Sequence, residues 1–537
     1  MTTLATTPPI PHSSALSARS VRIAAGALVA VLVLAWLPVH ATLPLGRDQA
    51  IIGRVTQVLL DGGWPYADAW DHKGPAAYLL YAPAYLLFGR HEHAIVRFDL
   101  LLLLGFAWVC GRIGRALDQR ATGLLAAVAT VLTVRNDYWT FGQPDAWVGY
   151  LFVGVAALLC ERDLGRRPWA GLVAGIAVGA AAMVKPVYAV MIVLPLAAWI
   201  WQPAGERRPS FVALTLLGAA AVILGFAAVF AAGGHLDALW QTYILFNLGA
   251  HLTRTWDDMT RIALSFAVTL VAPRFDFGLT VVLGAAAAGF AAMRRRHRRT
   301  ADLLGLGWLL ALVSVIAQGK GFPYHFAAVH GFTGVFAGYF VAQRFDAHFA
   351  APAAARTRGA NRRRATMAGA LIGLAACAMQ PHGQRVRDWW LTLAGAMSEA
   401  ERAQRLCESD YCPWRLRALG EVIRRETAPG EPIFVWGFDS AIYLYADRPA
   451  TGRFGFSYPL IGGTETWRRQ ARAELMATLA ATPPRVIVVQ EDDFIRLMHT
   501  RPSVDHILDF PEFGALLARH YVPEHDLGRF VVHRRRD

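Results

Sequence analysis

Apolar runs long enough to cross a bilayer recur along the first 380 residues, and the charge is gathered into short segments between them. A bilayer core about 30 Å thick needs roughly 20 mostly apolar residues per crossing helix. On that measure spans fall near 22–40, 94–114, 121–135, 143–160, 169–184, 186–202, 210–232, 275–293, 301–317, 326–343 and 366–380. This is the pattern of a polytopic α-helical membrane protein with about eleven transmembrane helices. Of the 537 residues 55% are hydrophobic and 17% charged, against about 25% charged in a soluble domain. Residues 1–20, rich in Ser, Thr and Pro, read as a disordered cytoplasmic N-terminus.

The net charge of +14 could point to nucleic acid, but its distribution argues against that partner. Arg19 and Arg22, Arg112 to Arg120, Arg162 to Arg167, Arg207 and Arg208, Arg294 to Arg299 and Arg362 to Arg364 all fall on one side if the spans alternate. The positive-inside rule makes that side the cytoplasm. An odd number of spans then puts the segment after 380 in the periplasm or its equivalent. That assignment depends on a break at Lys185-Pro186, because 169–201 as one helix would be about 50 Å long. Proline removes an amide and ends a helix, so two short helices fit better. The first span also has the shape of a signal peptide, with Val39-His40-Ala41 as a cleavage site; the reading keeps it as a membrane helix.

The polar residues of interest lie at the outer ends of these helices. The loop 41–93 is far longer than a connection needs. It holds a helical stretch from Gln49 to Leu60 and a short apolar segment, 76–88, that reads as an interfacial helix. A second long loop, about 233–274, carries Trp240, Tyr243, Phe246, Asn247, His251, Trp256, Asp257 and Asp258. Asp145 begins the fourth span, and Lys320, Tyr324 and His325 lie between the ninth and tenth. Ionisable groups at membrane depth are expensive and are functional candidates by default.

Arg47-Asp48, Gly63-Trp64-Pro65-Tyr66, Trp70-Asp71-His72-Lys73-Gly74-Pro75 and Phe88-Gly89 together resemble the first outer loop of GT-C membrane glycosyltransferases. The nearer likeness is to the bacterial branch similar to protein O-mannosyltransferases and aminoarabinose transferases. The Lys185-Pro186 break, Gly321-Phe322-Pro323-Tyr324-His325-Phe326 and Phe434-Val435-Trp436-Gly437 recur in that branch. The resemblance implies transfer of a sugar from a polyprenyl-phosphate carrier to an envelope glycan, lipid or protein on the outer face of the inner membrane.

Such a transfer needs a carboxylate to accept a proton, and positive charge or metal beside the departing phosphate. The resemblance makes Asp48 the first choice for the carboxylate, with Asp145 as the second-loop acid; both positions also suit helix N-terminal carboxylates. It implies a divalent metal (Mg or Mn) on Asp48 and Asp145, although many relatives have Asp-Glu where this chain has Asp48-Gln49. Lys73 takes the place of a lysine near the lipid phosphate, against a plain reading as a snorkelling interfacial lysine. Lys185, Lys320 and His325 are further phosphate-binding candidates, and Tyr324-His325 also suits a cap of the tenth span. Asp71-His72 lacks the spacing of a strong metal pair.

After 380 the hydropathy falls. Strands are expected at Pro432–Gly437, Pro484–Gln490 and Phe530–His533, and helices near 414–426, 465–481 and 511–520, giving a small α/β domain over 381–537. No glycine-rich phosphate fingerprint accompanies it. Cys110, Cys160 and Cys377 lie in or beside spans and read as packing residues. Cys407 and Cys412 lie on the expected oxidising side, where a disulfide between them is plausible. A transporter or flippase of a lipid-linked molecule is the alternative function, and an envelope assembly protein a third. A transporter usually shows matched broken helices in two halves, and only one broken pair is seen.

Overall fold

The computed structural model describes residues 34–117, 127, 139–160, 167–252, 260, 277–320, 322–350, 381–407, 411–493 and 501–536. The N-terminal 1–20, the third and eleventh spans, most of the first, and Cys377 lie outside the described residues. So do Arg135 to Tyr138, Arg254, Asp257 and Asp258.

Helices dominate the described residues up to 350. They are α1 (Arg47–Leu60), α2 (Pro75–Phe88), α3 (Ala94–Ala116), α4 (Pro144–Leu159), α5 (Trp169–Ala182), α6 (Val193–Ile200), α7 (Pro209–Ala232), α8 (Phe277–Arg296), α9 (Arg298–Gln318) and α10 (Ala327–Ala350). Among the described residues α3, α7 and α9 are each long and apolar enough to cross a membrane. The chain does break after α5. Lys185 is extended, with φ −147° and ψ 132°, and a tight 3-10 turn over Pro186–Ile192 leads into α6.

Small residues set how these helices approach. In α5, Gly171, Gly175 and Gly179 recur every fourth residue and so lie on one face. A Cβ on Gly175 would come within 2.0 Å of the Thr215 carbonyl oxygen, and one on Gly171 within 2.3 Å of that of Phe211. The α5 and α7 backbones therefore touch through a small-xxx-small seam, the way helices pack where lipid removes the hydrophobic drive.

The sheet lies in the last quarter of the chain. Strands β1 (Phe434–Trp436), β2 (Val486–Gln490), β3 (Tyr521–Asp526) and β4 (Phe530–Arg535) pair in the order β1-β2-β4-β3. β1 and β2 are parallel and joined through the helix Glu465–Ala481, while β4 is antiparallel to both β2 and β3. Alternation divides their side chains between two apolar clusters. Val435, Val486 and Val488 point into one, and Phe434, Trp436, Ile487 and Val489 into the other. With both faces covered, β2 can be apolar at successive positions. Two residues of the segment 41–93 join the second cluster: Ile51 of α1 and Trp70. Cys407 and Cys412 are joined by a disulfide just before the helix Pro413–Glu426.

Candidate active site

Three backbone devices bring distant segments together. Gly74 packs so tightly on the end of α5 that an added Cβ would lie 1.9 Å from the Met183 carbonyl oxygen. From there its N–H donates to the Val184 carbonyl at 3.0 Å, and the Ala76 N–H to that of Met183 at 3.1 Å. Only a residue without a side chain permits this approach, and it places Lys73 beside the Lys185 break. Tyr243 of the second long loop donates its hydroxyl to the Ala182 carbonyl at the same junction. The Asn247 amide donates to the His72 carbonyl at 2.8 Å.

The charged side chains form two linked pairs. Lys73 Nζ lies 2.8 Å from Asp48 Oδ1 and 3.5 Å from Asp71 Oδ1. Lys185 Nζ donates to both oxygens of Asp145 at 2.8 Å and to Gln318 Oε1 at 3.0 Å. The Tyr188 hydroxyl donates to Asp145 Oδ1 at 2.5 Å. Tyr324 lies beside the second pair, with Lys185 Nζ 5.4 Å from its ring centroid. His325 is buried next to it, with ring centroids 4.5 Å apart. Lys320 sits over Tyr458 at 5.6 Å, and His72 packs on the same ring at 5.4 Å. Asp48, Lys73, Asp145, Lys185, Lys320 and His325 thus fall in one region; Cys407 and Cys412 pair with each other instead.

Burial alone would raise the Asp48 carboxyl, but Lys73 and then Lys185 hold it below the ordinary carboxylate range. Asp71 is lowered in the same contest between burial and Lys73. Lys73 is raised because its two carboxylates outweigh its desolvation. His72 goes the other way: burial lowers it to about 4 despite Asp71 alongside, so the ring is neutral at pH 7. The Asp48 side chain is still 25% exposed, whereas those of Asp71 and Asp145 are 0% and 1%. Asp48 is the carboxylate of the three that a reactant can reach.

A divalent ion fits this arrangement poorly. Asp48 and Asp145 each face an ammonium group in the place where a cation would have to sit. Among the described residues, His, Cys, Asp or Glu ligand atoms gather in threes only at Glu426, Glu524 and His525, on β3 and the end of the helix Pro413–Glu426. The shared metal that the resemblance implies on Asp48 and Asp145 would first have to displace both lysines.

The sequence reading missed part of this network. Asp71 was weighed only as half of a metal pair, yet it is a buried counter-ion of Lys73. The alternation of Asp71 and Lys73 around one histidine was the available signal. Tyr188 and Gln318 lacked any motif. Arg47, buried against Asp439 and lying 5.3 Å and 5.8 Å from the Tyr411 and Trp139 ring centroids, links α1 to the sheet.

No protein-family model matches the sequence, and no curated protein matches it. Solved structures do match over nearly the whole chain. ArnT from Cupriavidus metallidurans bound to undecaprenyl phosphate aligns with a TM-score of 0.55 and 15% identity, covering 95% of this chain and 97% of that one. The apo state of the same protein gives a TM-score of 0.57 at 15% identity, with 95% and 98% covered. At this identity the likeness is one of fold. The chain shares the fold of that protein along nearly its whole length.

Proposed function

We propose that this protein is a membrane glycosyltransferase that moves a sugar from a polyprenyl-phosphate carrier to an acceptor on the outer face of the inner membrane. The observation that carries the reading is the convergence of Asp48, Lys73, Asp145 and Lys185 in two ion pairs. Asp48 and Asp145 each sit in the first turn of a helix, and Lys73 lies two residues before α2. Helix N-termini favour anions, so the same junction that tolerates two carboxylates is suited to a phosphate.

In this mechanism the acceptor hydroxyl attacks the anomeric carbon in a single displacement. The new C–O bond forms as the bond to the lipid phosphate breaks, and the hydroxyl proton passes to Asp48. Lys73, with Lys185 behind it, stabilises the departing phosphate, and Lys320 and His325 are further groups able to hold it. Pairing with Lys73 makes Asp48 a weak base at rest. Donor binding turns Lys73 toward the phosphate, so Asp48 loses its counter-ion and gains basicity when a base is needed. Residues 381–537 form an outer-face α/β domain that covers the site and holds α1 in register. The fold likeness to a protein bound to undecaprenyl phosphate supports the lipid donor.

The test uses membranes supplied with a polyprenyl-phosphate sugar. Asp48→Ala is expected to abolish sugar transfer at unchanged protein abundance. Full activity in that variant would remove Asp48 from the mechanism, and lipid translocation without any sugar transfer by the wild type would favour a transporter.

A further inference from the structure

Away from the paired carboxylates, a cavity of about 320 Å³ opens between the second long outer loop and the helix Glu465–Ala481. Its walls include Asp237, Gln241, Arg453, Trp467, Gln470 and Glu474. We propose that this cavity is a saccharide-binding subsite, with Trp467 at one wall and the sugar hydroxyls held by Asp237, Gln241, Gln470 and Glu474. The assignment to the acceptor rather than the donor sugar rests on the glycosyltransferase reading; the saccharide chemistry does not.

The chemistry of the walls selects the ligand class. Carboxylates and amides, with Trp467 at one wall, match a ring with a rim of hydroxyls, which both donate and accept. A phosphate is disfavoured, because Asp237 and Glu474 oppose it and the one guanidinium is committed. Arg453 donates Nε and Nη2 to the two oxygens of Glu474, each at 2.6 Å, and Nη1 to the Tyr66 carbonyl at 2.8 Å. A purely apolar ligand would bury these polar groups without partners.

The walls are held in place before any ligand arrives. Trp467 Nε1 donates to the Pro459 carbonyl at 2.9 Å, and its ring packs against Phe246 at 5.2 Å and Trp70 at 5.9 Å. Glu474 is fixed by the two-point Arg453 pair. Gln241 lies in a π-helical turn, Trp240–Phe246, and its amide reaches Asp237 Oδ1 at 3.4 Å. A preformed site loses little freedom on binding.

The location is suited to a lipid-anchored glycan. Trp240 and Leu236, on the same outer segment, are 53% and 44% exposed, as residues facing a membrane interface are. Trp70, which backs Trp467, is three residues from Lys73. A glycan seated here would lie alongside the loop that carries the lipid-phosphate lysine.

The test is binding of the purified full-length protein to an array of neutral and amino-sugar oligosaccharides, without donor lipid. The wild type is expected to retain at least one glycan, and Gln241→Ala/Gln470→Ala to weaken that binding by about tenfold or more. Both side chains are exposed, so this variant keeps the fold, whereas Trp467→Ala removes a ring packed on Trp70 and Phe246. No glycan bound by the wild type, or binding unchanged in the double variant, overturns the proposal. Glycan binding lost in the variant, with no sugar transfer by the wild type, keeps the subsite and sinks the transferase reading. Transfer undiminished in the variant sinks the acceptor assignment alone.

Discussion

Arg47, the residue before Asp48, forms a buried ion pair with Asp439, three residues beyond the end of β1. Asp439 is 1% exposed, and Gln490 at the end of β2 donates to its second oxygen at 2.7 Å while accepting the Phe438 and Asp439 N–H groups. The carboxyl ends of two parallel strands, a usual place for a ligand in open α/β sheets, are here spent on gripping α1. Asp439→Ala removes the carboxylate from a buried ion pair, a change that costs about 3–5 kcal/mol. We expect a clear fall in thermal midpoint together with loss of transfer, and unchanged values of both would show that the sheet does not hold α1.

The Lys185–Asp145 pair separates stability from chemistry. Lys185→Met strands a carboxylate that is 1% exposed and is expected to destabilise strongly. Adding Asp145→Leu removes the stranded charge, so most of the stability should return while transfer does not. Recovery of both in the double variant, measured by thermal unfolding and sugar transfer, would reduce the pair to a packing element.

Gly74→Ala adds only a methyl group, but it would drive that group into the Met183 carbonyl. Overpacking of this kind costs about 1–3 kcal/mol. Because it moves Lys73 away from Lys185, activity should fall further than stability, by about 100-fold for a displacement near 1 Å. Equal activity at equal abundance would mean that the loop has another way to close on α5.

Acid should weaken the fold through His72. Its folded value of about 4 lies below the ordinary 6.5, so between those pH values the unfolded chain binds a proton that the folded chain refuses. Stability is therefore fully present above about 6.5 and is lost as pH falls toward 4, by about 3 kcal/mol at most. His72→Asn should flatten the fall of the thermal midpoint across that window. An unchanged profile would assign the acid loss to another group.

Chelation tests the choice between lysines and metal. With both carboxylates facing ammonium groups, EDTA is expected to change sugar transfer by less than about twofold. Loss of activity on chelation and recovery with Mg or Mn would show that the lysines yield their places to a cation.

Most helices were legible because membrane crossing imposes a length and a composition, and both are local. α3, α4, α7 and α9 begin and end within a few residues of the apolar runs, and the break at Lys185-Pro186 follows from proline chemistry. β1, β2 and β4 announced themselves as apolar runs. β3, with Pro523, Glu524 and His525 in its middle, did not; it is an edge strand with a register shift between Pro523 and His525 and needs β4 to define it. Asp48, Lys73, Asp145 and Lys185 could be nominated from their places at helix ends. Their pairing could not, because it depends on the Gly74–Met183 approach, a contact with no local signature. The Arg47–Asp439 bond, across 392 residues, was invisible for the same reason.

That separation in sequence sets an order of events during synthesis. At about 5–20 residues per second, Asp439 leaves the ribosome roughly 20–80 s after Arg47. Through that interval α1 exists without the Asp439 carboxylate that grips Arg47 in the finished fold. A chain truncated before Asp439 would carry every helix through α10 yet lack the contact that fixes α1 against the sheet.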